Sequence, residues 1–383
     1  MLRSDFLAGA VAALLPTGAS GIPNQNGVLP QVNLGVNVPL TGPLAQYGSQ
    51  IVKGVQACVD ETNRFTPSLS RYWGVRSFDD QNSSTVATSN VFVAASDPTV
   101  MGMIGNLTAD TTLASLPQYA NANFAIVVPS VTADVITSRG FRNVFRLPTK
   151  DSSEGQLFAR SVLPKHSTAT IVAVTMKGDY GADVASGLVA QASADKHDAD
   201  TITVEPTNDA ENIAARIIKR NATFVFLAGK PDALGPIAKA LRKQGYKGDF
   251  GASDAFFTGS VIDPYGDALN GSLVASSTPP IDRIPSMLQL VRDFQGEVGG
   301  IDAFEAFGYA AAQLLIQASG RVNAKDRFGL LTQMQSGGAY NLLVGQYAFN
   351  FSGDATLPNI YLYKMTPKGF TFEKSAVPSA FVV

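Results

Sequence analysis

Residues 35–63 read Gly-Val-Asn-Val-Pro-Leu-Thr-Gly-Pro-Leu-Ala-Gln-Tyr-Gly-Ser-Gln-Ile-Val-Lys-Gly-Val-Gln-Ala-Cys-Val-Asp-Glu-Thr-Asn. Apolar, mostly branched residues at Val32, Leu34, Val36 and Val38 predict a buried strand. Pro39, Gly42 and Pro43 stop it, because proline lacks the ladder N–H and glycine accepts turn angles. Ile51, Val55, Cys58 and Thr62 then recur at helical spacing. A strand, a tight polar turn and an amphipathic helix form the opening of a βαβ unit. The loop at the carboxyl end of such a strand is where α/β sheets hold ligands, and Tyr47 sits in it.

The alternation continues outward from this stretch. Val32–Leu40, Trp73–Phe78, Val100–Gly105 and Phe124–Pro129 read as strands, with helices over 46–63, 83–96 and 111–122 between them. A second series sets strands at Ala169–Met176, Thr201–Val204, Phe224–Ala228 and Phe250–Ser253 against helices at 153–163, 180–194, 209–220 and 232–244. Two runs of this kind imply two similar lobes with parallel central sheets. Leu273–Ala275 adds strand pattern, and 284–298, 303–319 and 325–335 read as helices. Leu342–Phe351 and Asn359–Met365 alternate as antiparallel strands do.

Composition sets limits. The 383 residues suffice for two full cores, and 45% hydrophobic with 16% charged residues is ordinary for a globular chain. A net charge of −2 argues against a nucleic-acid surface. The one cysteine, Cys58, lies on the apolar face of the first helix and reads as a small buried hydrophobe. Residues 6–15, Phe-Leu-Ala-Gly-Ala-Val-Ala-Ala-Leu-Leu, follow Arg3 and precede small residues up to Ala19. They read as an export signal over 1–20 and are too short for a membrane span. Residues 21–31, rich in Gly, Asn and Pro, read as a linker.

Covalent chemistry is poorly provided for. His166 and His197 are the two histidines, and both read as solvated surface groups. No metal-ligand spacing, phosphate loop or complete nucleophile elbow occurs, so no metal and no cofactor is expected. Small polar residues at strand ends point to binding instead. Asn106-Leu-Thr-Ala-Asp-Thr-Thr112 leads into a helix whose N-terminus suits a carboxylate. Ser130 and Thr132 follow the next strand with hydroxyls that can donate or accept. Tyr180, Lys230 and Asp254 follow strands of the second series. An ammonium would satisfy a carboxylate such as Asp254, although each strand-end residue alone also reads as a helix cap.

Pro-Leu-Thr-Gly-Pro-Leu-Ala-Gln-Tyr-Gly followed by a helix ending Asp-Glu-Thr-Asn resembles the opening of the periplasmic leucine/isoleucine/valine-binding proteins, the solute receptors of branched-chain amino-acid ABC transporters. Weaker similarity runs through most of 31–365. The resemblance implies a type I periplasmic binding protein: two Rossmann-like lobes joined by a three-stranded hinge. Crossings are expected near 147–151, 276–280 and 342–346. One lobe would then hold 32–148 and 279–343, the other 149–278 and 344–383. It also implies that Tyr47, Ala109, Asp110, Thr111, Ser130, Thr132, Tyr180, Lys230, Asp254 and Tyr309 lie at or near a ligand cleft, and that an ABC permease is the membrane partner. Two departures stand out. Asp110 adds a negative charge to the loop that holds a ligand carboxylate, and Asp79-Asp80-Gln-Asn lacks the cysteine of a disulfide frequent in that family. A ligand-sensing domain and an α/β hydrolase are the other classes this pattern admits.

Overall fold

The computed structural model describes residues 31–65, 71–166, 168–178, 180–205, 209–280, 303–322 and 326–377. The expected helix at 284–298 and the export signal lie outside these residues. No helix among the described residues is long and apolar enough to cross a membrane.

The first lobe is built on parallel strands β1 (Gln31–Val38), β2 (Tyr72–Asp79), β3 (Val100–Gly105), β4 (Ile126–Val128) and β5 (Val144–Arg146), in the order β2-β1-β3-β4-β5. The apolar alternation of β1 supplies Leu34, Val36 and Val38 to a core on one sheet face. There α1 (Ala45–Phe65) packs with α10 (Ala303–Val322) and α11 (Arg327–Gln335). The opposite face is covered by α2 (Ser84–Ser96) and α3 (Ala109–Asn121), through Val91, Leu116 and Tyr119, with the short α4 (Val135–Ser138) beside α3 and β5. Cys58 is buried in the first of these cores, and burial pushes its thiol pKa up.

The second lobe has the sheet order β14-β13-β10-β9-β8-β6-β7. Its parallel part is β6 (Thr170–Met176), β7 (Asp198–Val204), β8 (Phe224–Ala228), β9 (Asp249–Ala252) and β10 (Leu273–Ser276). Strands β13 (Tyr361–Thr366) and β14 (Gly369–Ser375) extend it antiparallel. On one face lie α5 (Asp151–Val162) and α6 (Ala182–Ala194), with Phe158 against Phe224 and Phe226. On the other lie α7 (Ala210–Lys219) and α8 (Pro231–Lys243), with the short α9 (Ile262–Tyr265) against α8.

The chain passes between lobes where β5 gives way to α5, and again after β10, since α10 is back on the first lobe. The third passage departs from the expected 342–346. Tyr340–Leu342 and Gly345–Tyr347 form a short hairpin, β11 and β12. Residues 349–354 still lie on the first lobe: Phe349 packs edge-on against Phe145, and Gly353 O accepts from Arg146 N at 2.8 Å. The chain therefore crosses after Asp354, on the way to β13. The expected antiparallel strand over Leu342–Phe351 is not continuous: it is broken at the turn before Gly345, which takes φ +129°, and antiparallel pairing survives in β11 with β12 and in a single bridge from Phe349 to Ala355.

The histidines are less solvated than expected. His166 is half-buried, its ring 5.2 Å from that of Phe224, and the Nδ1 atom of His197 is buried.

Candidate ligand cleft

Each lobe brings its candidate residues to the carboxyl ends of adjacent strands. In the first lobe Tyr47 follows β1, Ala109, Asp110 and Thr111 follow β3, and Ser130 and Thr132 follow β4; these three strands are neighbours in the sheet. In the second lobe Tyr180 follows β6, Lys230 follows β8 and Asp254 follows β9, again neighbours.

Tyr47 is 41% exposed and lies against Phe304 at 5.1 Å between ring centroids. Tyr47 lies in the first turn of α1, and the loop before that turn is shaped by Asp79, whose carboxylate accepts from Leu40 N at 2.8 Å, Thr41 Oγ1 at 2.7 Å and Gln81 N at 2.9 Å. At the start of α3 the Thr108 hydroxyl donates to Asn82 Oδ1 at 2.8 Å and meets Thr111 Oγ1 at 2.9 Å, so it does not cap the helix. Thr111 is buried, while Asp110 is exposed in the first turn, where the helix dipole favours a carboxylate. Ser130 Oγ donates to Leu107 O at 3.1 Å and ties the β3 and β4 loops together. Beneath them, the buried residues Asp80, Asn106, Tyr119 and Asn37 are joined by side-chain hydrogen bonds of 2.9–3.4 Å.

On the second lobe the Tyr180 hydroxyl donates to the Asp254 carboxylate. Tyr180 is thus a hydrogen-bonding group at this strand end. Lys230 is exposed and begins α8. Tyr309 is a correction. Its hydroxyl donates to Glu61 Oε2 at 2.5 Å, near the carboxyl end of α1, and its ring is packed between α1 and α10. Tyr47 stands at the opposite end of α1, so Tyr309 braces two helices and does not reach the strand ends.

Three further acids at this end were not singled out from sequence. Asp151 and Glu154 occupy the first turn of α5. Glu154 is fully buried, and its Oε1 accepts from Asp254 N at 3.1 Å. Asp151 is 4% exposed and is hydrogen-bonded by the Thr132 hydroxyl, while its backbone N–H donates to Thr132 O at 3.0 Å. Asp134 accepts from Ser152 N at 3.0 Å and pairs with Lys150 at 3.4 Å. The loop after β4 is thereby stitched to the helix that opens the second lobe. Burial, with the neighbouring Asp254 charge next in weight, pushes Asp151 up to about 7 and raises Glu154 well above the usual carboxylate range. Burial also raises Asp254, against the bond from Tyr180. The spacing Asp-x-x-Glu at a helix start was the available signal, but acids in a first turn ordinarily read as helix-dipole partners.

Comparison with known proteins agrees with this architecture. A family model described as periplasmic binding protein matches residues 31–369. A Leu/Ile/Val-binding protein homolog 1 of Brucella melitensis is 25% identical over 372 residues, covering 95% of this chain and 96% of that protein. The Leu/Ile/Val-binding protein of Escherichia coli is 24% identical over 324 residues, covering 82% and 85%. Among solved structures, a leucine-binding protein from Thermotoga maritima superposes with a TM-score of 0.76 at 20% identity, over 91% of this chain and 99% of the other. A solute-binding protein from R. palustris in complex with benzoate superposes with a TM-score of 0.72, also at 20% identity, over 92% and 98%.

Proposed function

Because the chain belongs to the periplasmic binding protein family, whose members bind substrates without transforming them, we propose that it is the extracytoplasmic receptor of an ABC importer. It captures an amino acid or a related small polar amide or carboxylate between its lobes. The N-terminal apolar run supports export, and the relatives named for Leu, Ile and Val support an amino-bearing ligand. The first turn of α3, with Ala109, Asp110 and Thr111, would receive the carboxylate through its free-ended N–H groups. Ser130 and Thr132 would orient the middle of the ligand. Asp254, held by Tyr180, would take the ammonium, and Tyr47 and Lys230 would stand at the rims. Binding draws the lobes together, and the closed form is what a permease recognises.

The observation that carries this reading is the bond between Tyr180, after β6, and Asp254, after β9, which spans the end of the intervening strand β8. A carboxylate so placed waits for a cation. Micromolar binding would correspond to about −8 kcal/mol. Titration calorimetry against a panel of amino acids tests it. At least one should bind, and Asp254→Asn should weaken it tenfold or more, since a charged hydrogen bond contributes roughly 1.5–3 kcal/mol. Unchanged affinity in the variant would remove Asp254 from the site.

A further inference from the structure

We infer that the second-lobe side of the cleft is built for a ligand carrying two cationic nitrogens, a diamine or a dibasic amino acid, and not for one with a single ammonium and an apolar side chain. The inference rests on the cleft reading above and specifies its ligand. Three carboxylates, Asp151, Glu154 and Asp254, gather on two elements, and among the described residues none of the three forms an ion pair. The adjacent cation, Lys150, pairs with Asp134.

Unmet hydrogen-bonding capacity points the same way. Glu154 Oε2 and Asp151 Oδ1 are buried and without hydrogen-bond partners. So is the hydroxyl of Thr175, which comes from a separate element. Thr175 lies two residues beyond Ala173 on β6, so by strand alternation its side chain leaves the same sheet face as the one on which Ala173 packs with Phe158 of α5. Buried acceptors without donors are costly. One ammonium seated on Asp254, which Tyr180 already holds, would leave Asp151 and Glu154 without a cation, and the branched apolar side chain of leucine would offer them nothing. A second ammonium or a guanidinium supplies three or more donors and a charge of the needed sign. A bare metal ion does not fit. Among the described residues no group of three or more His, Cys, Asp or Glu side chains is spaced to hold one.

Calorimetry on the full chain decides the matter, with lysine, ornithine and 1,4-diaminobutane set against leucine and isoleucine. The wild-type protein is expected to bind at least one dibasic ligand ten times or more tightly than leucine. Glu154→Gln keeps an oxygen for the Asp254 amide but can no longer ionise against a bound cation. It should reduce the ratio of dibasic to leucine affinity at least tenfold, and Asp151→Asn provides the same comparison should Glu154→Gln not fold. Leucine bound as tightly as lysine by the wild type, or a ratio unmoved in both variants, overturns the inference while leaving the cleft reading in place. Binding of neither class overturns both.

Discussion

Asp151 concentrates the electrostatics of the cleft in one side chain. Its carboxyl is pushed up to about 7 from an ordinary value of 3.8, first by burial and then by Asp254. A carboxylate raised in the folded state opposes folding as pH rises. Between about pH 4 and 7 the unfolded chain ionises this group while the fold keeps its proton, and above 7 the penalty stays constant. The Asp151→Asn protein, free of ligand, is therefore expected to melt above the wild type at pH 8, with the gap closing toward pH 4 in thermal denaturation. A gap that widened on acidification would contradict the assignment. At this scale the sequence was a partial guide. Tyr180 and Asp254 were legible because each follows a strand and is chemically unlike its neighbours. Asp151 and Glu154 were hidden, since acids in a first helical turn have a sufficient local reason to be there. Tyr309 misled because its helix begins beside Tyr47 while its side chain points along α1 toward Glu61.

Helix pairs in both lobes meet through glycine. Added side chains at Gly54 and Gly308 would lie 2.0 and 2.4 Å from the carbonyls of Glu305 and Ile51, so α1 and α10 touch backbone to backbone. Gly155 and Gly187 stand in the same relation to Val184 and Ser152, between α5 and α6. Gly54→Ala should destabilise the protein by about 1–3 kcal/mol through overpacking, despite a helix-propensity gain of roughly 0.5–1 kcal/mol. Gly320→Ala in α10, where an added Cβ meets nothing, should stabilise slightly. Equilibrium urea unfolding distinguishes the two, and equal midpoints would refute the close-contact argument. Strand and helix positions were largely legible, because period-2 and period-3.6 patterns survive wherever one face is buried. The run after Tyr347 was not. It is held by Arg146, whose buried guanidinium reaches Asp354 through Nε at 2.9 Å and the Thr132 carbonyl through Nη1 at 2.8 Å, a tertiary arrangement that no local period encodes.

Across the whole molecule, that same arginine ties the last crossing segment to the loop bearing Thr132, so the hinge and the cleft share a support. Hydrogen bonds from Thr149 to Ser277 and to Asn359, at 3.0 and 2.6 Å, join the three crossings side by side. Such a joint lets two rigid lobes rotate without either core opening. The edge strands β2 and β7 lie farthest from it in their sheets, so their side of the cleft should travel most. Two-lobed topology was visible from the doubled alternation, but the place of the third crossing depended on contacts made far along the chain. A receptor of this kind works by closing around its guest. Spin labels on Thr85→Cys and Lys177→Cys, in a protein whose own cysteine is buried, allow the lip-to-lip distance to be measured by pulsed dipolar spectroscopy. The amino-bearing ligand selected by calorimetry, at a concentration near the parent's dissociation constant, should shorten that distance in part of the parent population and in a much smaller part of the Asp254→Asn population. Saturable binding with no change in distance would contradict the account.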